Sequence, residues 1–272
     1  KAIGDRRHST IGNERLFSPA LQSRNEADFA AWLLDDMPEP PHHYAWLKKV
    51  NAQGAPVKGD VPVMPPIAPD AFQDMAREDG TVVIDARSML AFGGGHVPGA
   101  INIGLQPEFP TWVGWMIGPE RRILLVVESE RDVPIVAAQL FRLGYDNIAG
   151  YLIGGMTRWQ NAAMPLRRVE EWTVRELDRR RQEPDVVVLD VRSDGEAAKG
   201  RVPGARHIYL PHLEENLGEL DRTRTIATYC GSGYRASIAA SVLARNGFAK
   251  VANIPGSWQA WRAAGLPVEG GE

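Results

Sequence analysis

The residues best equipped for chemistry lie in one hexapeptide, Cys230-Gly231-Ser232-Gly233-Tyr234-Arg235, which contains the only cysteine of the chain. It stands between an apolar run (225–229) and a helix-like run beginning near Ala236. Six residues must therefore turn the chain from strand end to helix start. Glycines at 231 and 233 permit positive φ, so successive N–H groups can face one point. The helix N-terminus aims further unpaired amides and a partial positive charge at the same place. A sulfur at that focus is favoured as thiolate over thiol, and a persulfide anion is held in the same way. Arg235 adds a permanent cation for the anionic end of a sulfur donor. Such chemistry requires the sulfur to be reachable from solvent. The competing reading is a small buried thiol in a tight turn, the common fate of a lone cysteine. The glycines, the arginine and the strand-to-helix crossing favour a nucleophile.

The elements that must position this hexapeptide occur twice. VVIDARSMLAFGGGHVPGAINI (82–103) aligns without a gap on VVLDVRSDGEAAKGRVPGARHI (187–208), bringing Asp85 onto Asp190 and Arg87 onto Arg192. Further on, 122–145 parallels 225–248, and both copies close on glycine, tryptophan and proline: Gly154, Trp159 and Pro165, then Gly256, Trp261 and Pro267. A duplicated domain is the natural reading. In each copy short β-branched runs alternate with helical patterns at 133–143 and 236–246, stopped by Gly144 and Gly247. That alternation predicts an α/β fold with a mostly parallel sheet flanked by helices. Ligands of such sheets bind beyond the carboxyl ends of the strands, where Cys230 falls.

The first copy lacks the chemistry. Val127 takes the place of Cys230, the loop reads Glu128-Ser129-Glu130-Arg131-Asp132, and Asp132 stands where Arg235 would be. Three acidic side chains there would repel an anionic sulfur donor. This copy reads as a packing spacer, with recognition of a cationic or protein partner as its functional alternative. Its triple glycine (93–95) invites a phosphate-loop reading, but the stretch precedes no helix, and His96 aligns with Arg201 as a turn residue.

A chain of 272 residues accommodates two domains, and a formal charge of −3 gives no reason to expect nucleic acid or an anionic membrane as partner. One cysteine cannot form an internal disulfide, which fits a cytoplasmic location. The six histidines (8, 42, 43, 96, 207 and 212) show no metal spacing, so no metal site is expected in this chain. Residues 1–66 belong to neither copy. An amphipathic helix over 25–37 carrying Phe29, Trp32 and Leu33, a second helix over 44–50 and a proline-rich extended linker (55–69) are predicted there. The expected domains are a helical tail with linker (1–66), a first repeat (67–166) and a second repeat (167–272).

The order Asp190-Val191-Arg192, Val202-Pro203-Gly204-Ala205, the cysteine hexapeptide and Gly256-Ser257-Trp258-Gln259-Ala260-Trp261 resembles a rhodanese (sulfurtransferase) domain over about 172–268. The resemblance implies two rhodanese-like domains, the first inactive, and transfer of sulfane sulfur from thiosulfate or a low-molecular-weight persulfide to a thiol or other thiophilic acceptor. It makes Cys230 the nucleophile, the amides of Gly231, Ser232, Gly233, Tyr234 and Arg235 its cradle, and Arg235 the anion contact. Asp190 and Arg192 match the family's Asp-x-Arg and read as a structural ion pair, with Glu196 at the surface. Cysteine phosphatases place five residues between cysteine and arginine; here there are four, and Tyr229 stands where they often carry histidine. Phosphatase activity and a non-catalytic sulfide-sensing or assembly module are the alternatives. Ser9-Thr10-Ile11-Gly12-Asn13-Glu14-Arg15 and the following helical stretch resemble the carboxyl-terminal tail of metallo-β-lactamase-fold proteins of the persulfide dioxygenase and glyoxalase II group. That implies a larger protein whose other half, outside this chain, holds iron.

Overall fold

The computed structural model describes residues 8–22, 25–35, 37, 39–54, 57, 59–60 and 63–271. The first seven residues of the head and parts of its linker (55–56, 58 and 61–62) lie outside them. The chain divides into two compact units, Lys1–Pro41 and His42–Glu272. In the first, helices α1 (Ile11–Phe17) and α2 (Glu26–Leu34) are capped by the side chains of Thr10 and Asn25. Neither helix buries a residue. The helix predicted over 25–37 is thus present, but shorter.

The second unit opens with α3 (His43–Gln53), which lies against the first repeat. Two glycines let it in: a Cβ at Gly114 would fall 2.0 Å from the His43 ring, and one at Gly144 would fall 2.3 Å from Trp46. The first repeat runs β1 (Pro66–Ile67), α4 (Pro69–Ala76), β2 (Thr81–Asp85), α5 (Met89–Gly94), β3 (Ile101–Asn102), α6 (Phe109–Met116), β4 (Arg122–Val126), α7 (Val133–Arg142), β5 (Ile148–Leu152) and α8 (Gly155–Asn161). The second runs β6 (Glu170–Glu171), α9 (Val174–Arg180), β7 (Val186–Asp190), α10 (Asp194–Ala198), β8 (Arg206–His207), β9 (Thr225–Tyr229), α11 (Tyr234–Arg245), β10 (Val251–Asn253) and α12 (Ser257–Ala263).

Each repeat forms a five-stranded, wholly parallel sheet, ordered β1-β5-β4-β2-β3 and β6-β10-β9-β7-β8. The central strands are apolar because helices cover both faces. Every residue of β2 and of β9 is buried. The registers coincide: Asp85 lies opposite Val126 and Asp190 opposite Tyr229, so Val127 and Cys230 are equivalent positions just past a central strand.

The two repeats share a core. Cys230, Tyr234, Ile238 and Val242 on one side of the second sheet are continuous with the apolar interior of the first repeat. The other side holds a separate core around Trp172 and Trp261. Asn102 links the repeats: its N–H donates to Ser241 Oγ (3.1 Å), its Oδ1 accepts from the Ser237 hydroxyl, and its Nδ2 donates to the carbonyls of Asp85 and Arg87. The triple glycine serves packing. A Cβ at Gly93 would sit 2.2 Å from Glu171 Oε1, and one at Gly95 would sit 3.0 Å from Leu166. His96 is buried, stacked on Phe92, and bridges to Arg167 as Arg201 bridges to Glu269. Desolvation pushes its imidazole down to about 4.

Candidate active site

The cysteine loop is held by its carbonyls. The oxygens of Cys230, Gly231 and Ser232 accept from the N–H groups of Trp258 (2.9 Å), Gln259 (3.0 Å) and Gly256 (3.0 Å), at the N-terminus of α12. A helix start has orphan donors, and here the loop satisfies them. In a trans peptide C=O and N–H point to opposite sides, so the carbonyls' orientation turns the following amides the other way. The Gly233 N–H accordingly donates to Cys230 Sγ at 3.2 Å. Among the described residues the N–H groups of Gly231, Ser232, Tyr234 and Arg235 donate to no backbone carbonyl.

The two glycines differ in function. Gly233 has φ +111°, a conformation that side chains resist, and packs against Met89 Sδ and Pro255. Gly231 is absent from the positive-φ residues; its missing side chain leaves room for Arg235 Nη2, 3.2 Å from where a Cβ would stand. α11 begins at Tyr234, two residues earlier than the apolar pattern indicates, so Tyr234 and Arg235 belong to its first turn. The Tyr234 hydroxyl donates to the carbonyl of Gly104 in the first repeat (2.8 Å).

Glu196, expected at the surface, keeps 41% of its side chain exposed and also grips Arg235: Nη1 donates to Oε2 at 2.6 Å and Nη2 to Oε1 at 2.7 Å. The same carboxylate accepts from the N–H and hydroxyl of Ser193 at the start of α10. Partial burial would raise its pKa, but Arg235 and the Ser193 donors outweigh that and hold it down at about 2. Burial works against the charge on Arg235, yet Glu196 and the neighbouring Cys230 sulfur keep its pKa above the ordinary value. The sequence signal for Glu196 was the Ser-x-x-Glu helix cap, which marks a cap and says nothing of the arginine.

Ser257 is a second residue that sequence reasoning missed. Its hydroxyl accepts from the Cys230 N–H (3.1 Å) and donates to the Ile254 carbonyl (2.6 Å). It sits at φ +42°, one of two non-glycine residues with positive φ among the described residues. The first repeat has Gly155 there, and that contrast was the available clue.

Asp190 and Arg192 form a buried ion pair at 2.6 Å, with Asp190 also accepting from the Tyr229 hydroxyl and Arg192 donating to the Gly200 carbonyl. Asp85 and Arg87 repeat it at 2.6 Å, with Gly95 in place of Gly200. Duplication at a position with no cysteine marks the pair as structural. Cys230 itself departs from expectation: only 1% of the residue is exposed. The sulfur belongs to the core shared with the first repeat, and the Arg235 side chain lies beside Gly231 and Met89 beside Gly233.

A family model described as Rhodanese-like domain matches residues 68–162 and again 173–264. The chain belongs to the rhodanese-like domain family. Among curated rhodanese-like relatives, a sulfurtransferase of Allochromatium vinosum is 32% identical over 84 residues, 31% of this chain and 78% of that protein. A thiosulfate sulfurtransferase of Coxiella burnetii is 27% identical over 79 residues, 29% of this chain and 74% of its own length. A solved metallo-beta-lactamase structure from Staphylococcus aureus is 33% identical with TM-score 0.45, covering 53% of this chain and 40% of that one. The chain thus spans less than half of the S. aureus protein.

Proposed function

We propose that the second rhodanese-like repeat is a sulfurtransferase that carries sulfane sulfur on Cys230. The observation that carries this reading is the Gly233 N–H on Sγ, within a loop whose Cys230, Gly231 and Ser232 carbonyls are turned onto α12. With thiosulfate, the Cys230 thiolate attacks the outer sulfur, a new S–S bond forms, and sulfite leaves with the electrons of the old one. A small persulfide serves as an equivalent donor, its thiol leaving in place of sulfite. A thiol or cyanide then attacks the carried sulfur and Cys230 leaves as thiolate. Gly231, Ser232, Tyr234 and Arg235 offer their unpaired amides to the persulfide anion, and the Arg235 guanidinium steers the donor's oxygens. Asp190 and Arg192 hold the strand end from which the loop springs. Because Cys230 is covered, groups packed around the loop must move aside for the donor to enter.

Thiocyanate formation from thiosulfate and cyanide tests the reaction, and intact mass after thiosulfate tests the intermediate. We expect a gain of one sulfur atom, reversed by reductant and absent in Cys230→Ser; turnover unchanged by that substitution would end the reading. The burial of Cys230 favours a second reading, a non-catalytic sensing or assembly module. Iodoacetamide separates the two: a cradled thiolate alkylates in the folded protein near neutral pH, whereas a packed thiol waits for unfolding.

The head's Ser9–Arg15 stretch supports placing the chain within a larger cytoplasmic metallo-β-lactamase-fold and rhodanese protein of sulfide metabolism. Among the described residues no cluster of three or more His, Cys, Asp or Glu could hold a metal ion. Iron, in that reading, would belong to the metallo-β-lactamase-fold half of the larger protein. No helix among the described residues is long and apolar enough to cross a membrane.

A further inference from the structure

Two buried oxygens without partners belong to neighbouring side chains at the seam between the repeats. Asn253 is fully buried at the end of β10, and its Nδ2 donates to Glu171 Oε2 at 3.0 Å. Asn253 Oδ1 and Glu171 Oε1 are both buried and have no hydrogen-bond partner among the described residues. Leaving two acceptors unpaired out of water is costly. One proton removes the cost for both. With a hydrogen on Oε1, Glu171 donates to Asn253 Oδ1 while still accepting from Nδ2, and the acid and the amide close a ring of two hydrogen bonds.

The surroundings favour the uncharged acid. Glu171 Oε1 lies against the bare backbone of Gly93, where even a methyl group would collide with it. The facing elements α5 and β10 carry no charged side chain. Nearby charges are turned elsewhere: Arg168 to the Gly94 carbonyl, Arg87 to Asp85 and Gly95, Glu170 to the Trp172 indole and Arg180. Burial, only partly offset by the Asn253 bond, pushes the Glu171 carboxyl up to about 7.

Asn253 begins the segment that holds the cysteine loop. Its carbonyl accepts from Trp172 N–H, Ile254 N–H donates to Thr228, Gly256 N–H donates to Ser232, and Ser257 Oγ receives the Cys230 N–H. We propose that Glu171 is a positioning residue, held as a neutral acid in a cyclic pair with Asn253, and that loss of its proton loosens residues 253–257 behind the Cys230 loop. The proposal concerns the segment's order alone and stands whether or not Cys230 transfers sulfur. An uncharged acid in the fold makes stability fall as pH rises, because the unfolded chain releases that proton from about 4.5 and the folded one only near 7.

The test compares wild type with Glu171→Gln, whose amide keeps both hydrogen bonds at every pH. We expect the two to have similar urea midpoints at pH 5 and the wild-type folding constant to fall relative to the variant by on the order of tenfold or more by pH 8. Amide hydrogen exchange at Cys230 and Gly256 should be equal in the two proteins at pH 6 and faster in wild type at pH 8. Should the variant fail to fold, 13C-glutamate NMR of wild type decides alone, through one carboxyl that titrates near neutrality. Glutamates all titrated below pH 5.5, or a wild-type-to-variant ratio that does not change with pH, would overturn the proposal.

Discussion

Val127 and Cys230 follow equivalent strands in equivalent sheets, yet the loops after them handle their amides in opposite ways. In the first repeat the loop serves itself. Ser129 N–H donates to Asp132 Oδ2, Arg131 N–H donates to Ser129 Oγ, and the Glu130 carboxylate accepts from Gly154 N–H and the Tyr151 hydroxyl. In the second repeat the carbonyls of Cys230, Gly231 and Ser232, rather than side chains, satisfy the start of α12, and the Gly233 N–H donates to Cys230 Sγ. Side chains that quench a loop's donors remove its capacity to bind an anion. One architecture thus yields a turn whose side chains take up its donors or a loop whose Gly233 N–H meets a sulfur, depending on about six residues.

The comparison can be broken most severely at what the repeats share. Asp85→Ala and Asp190→Ala each leave a buried arginine unpaired, and each should cost about 3–5 kcal/mol in urea unfolding. A variant of Asp190 that lost turnover with little loss of stability would instead give that carboxylate a part in the reaction. Next comes what they do not share. Arg235→Ala should lower sulfur transfer by roughly 10- to 100-fold, seen in kcat/KM for thiosulfate, while Asp132→Ala leaves it unchanged. Ser257→Gly installs the residue of the first repeat. It relieves the positive φ but strips the Cys230 N–H of its acceptor, so thermal unfolding should show a net change of about 1 kcal/mol or less, with a few-fold loss of turnover. The smallest effect concerns Glu196. With its pKa near 2 in the fold against an ordinary 4.5, its contribution is present above pH 4.5 and is lost as pH falls toward 2. The difference in urea midpoint between wild type and Glu196→Gln should therefore stay constant from pH 8 to 5 and vanish below.

Much of this was legible in the residues. The gapless alignment of 82–103 on 187–208 required a repeated fold, and the apolar runs alternating with helical ones required parallel sheets. The Cys-Gly-x-Gly-x-Arg hexapeptide announced a tight strand-to-helix turn with positive φ at Gly233, because glycine placement and helix starts are local properties. Ser257 was not legible, since it lies 27 residues from the amide it receives and meets it only when β9 and β10 pair. The Arg235 partner of Glu196 was hidden for the same reason: a helix-cap pattern fixes where a carboxylate begins, not which distant arginine it finds. The burial of Cys230 accompanies a core shared with the first repeat, whose Met89 and Gly104 meet Gly233 and Tyr234 of the loop across more than a hundred residues of sequence.

The sequence by itself determined the duplication, the sheet type, the single thiol and the loss of that thiol from one copy. These follow from periodicity and residue identity, which act over a few neighbouring positions. Only the tertiary structure decided which donors reach the sulfur, which carboxylate holds Arg235, and that the first repeat covers the loop of the second. Those outcomes depend on hydrogen bonds and packing between distant segments, whose distances are set when the sheets and the shared core assemble.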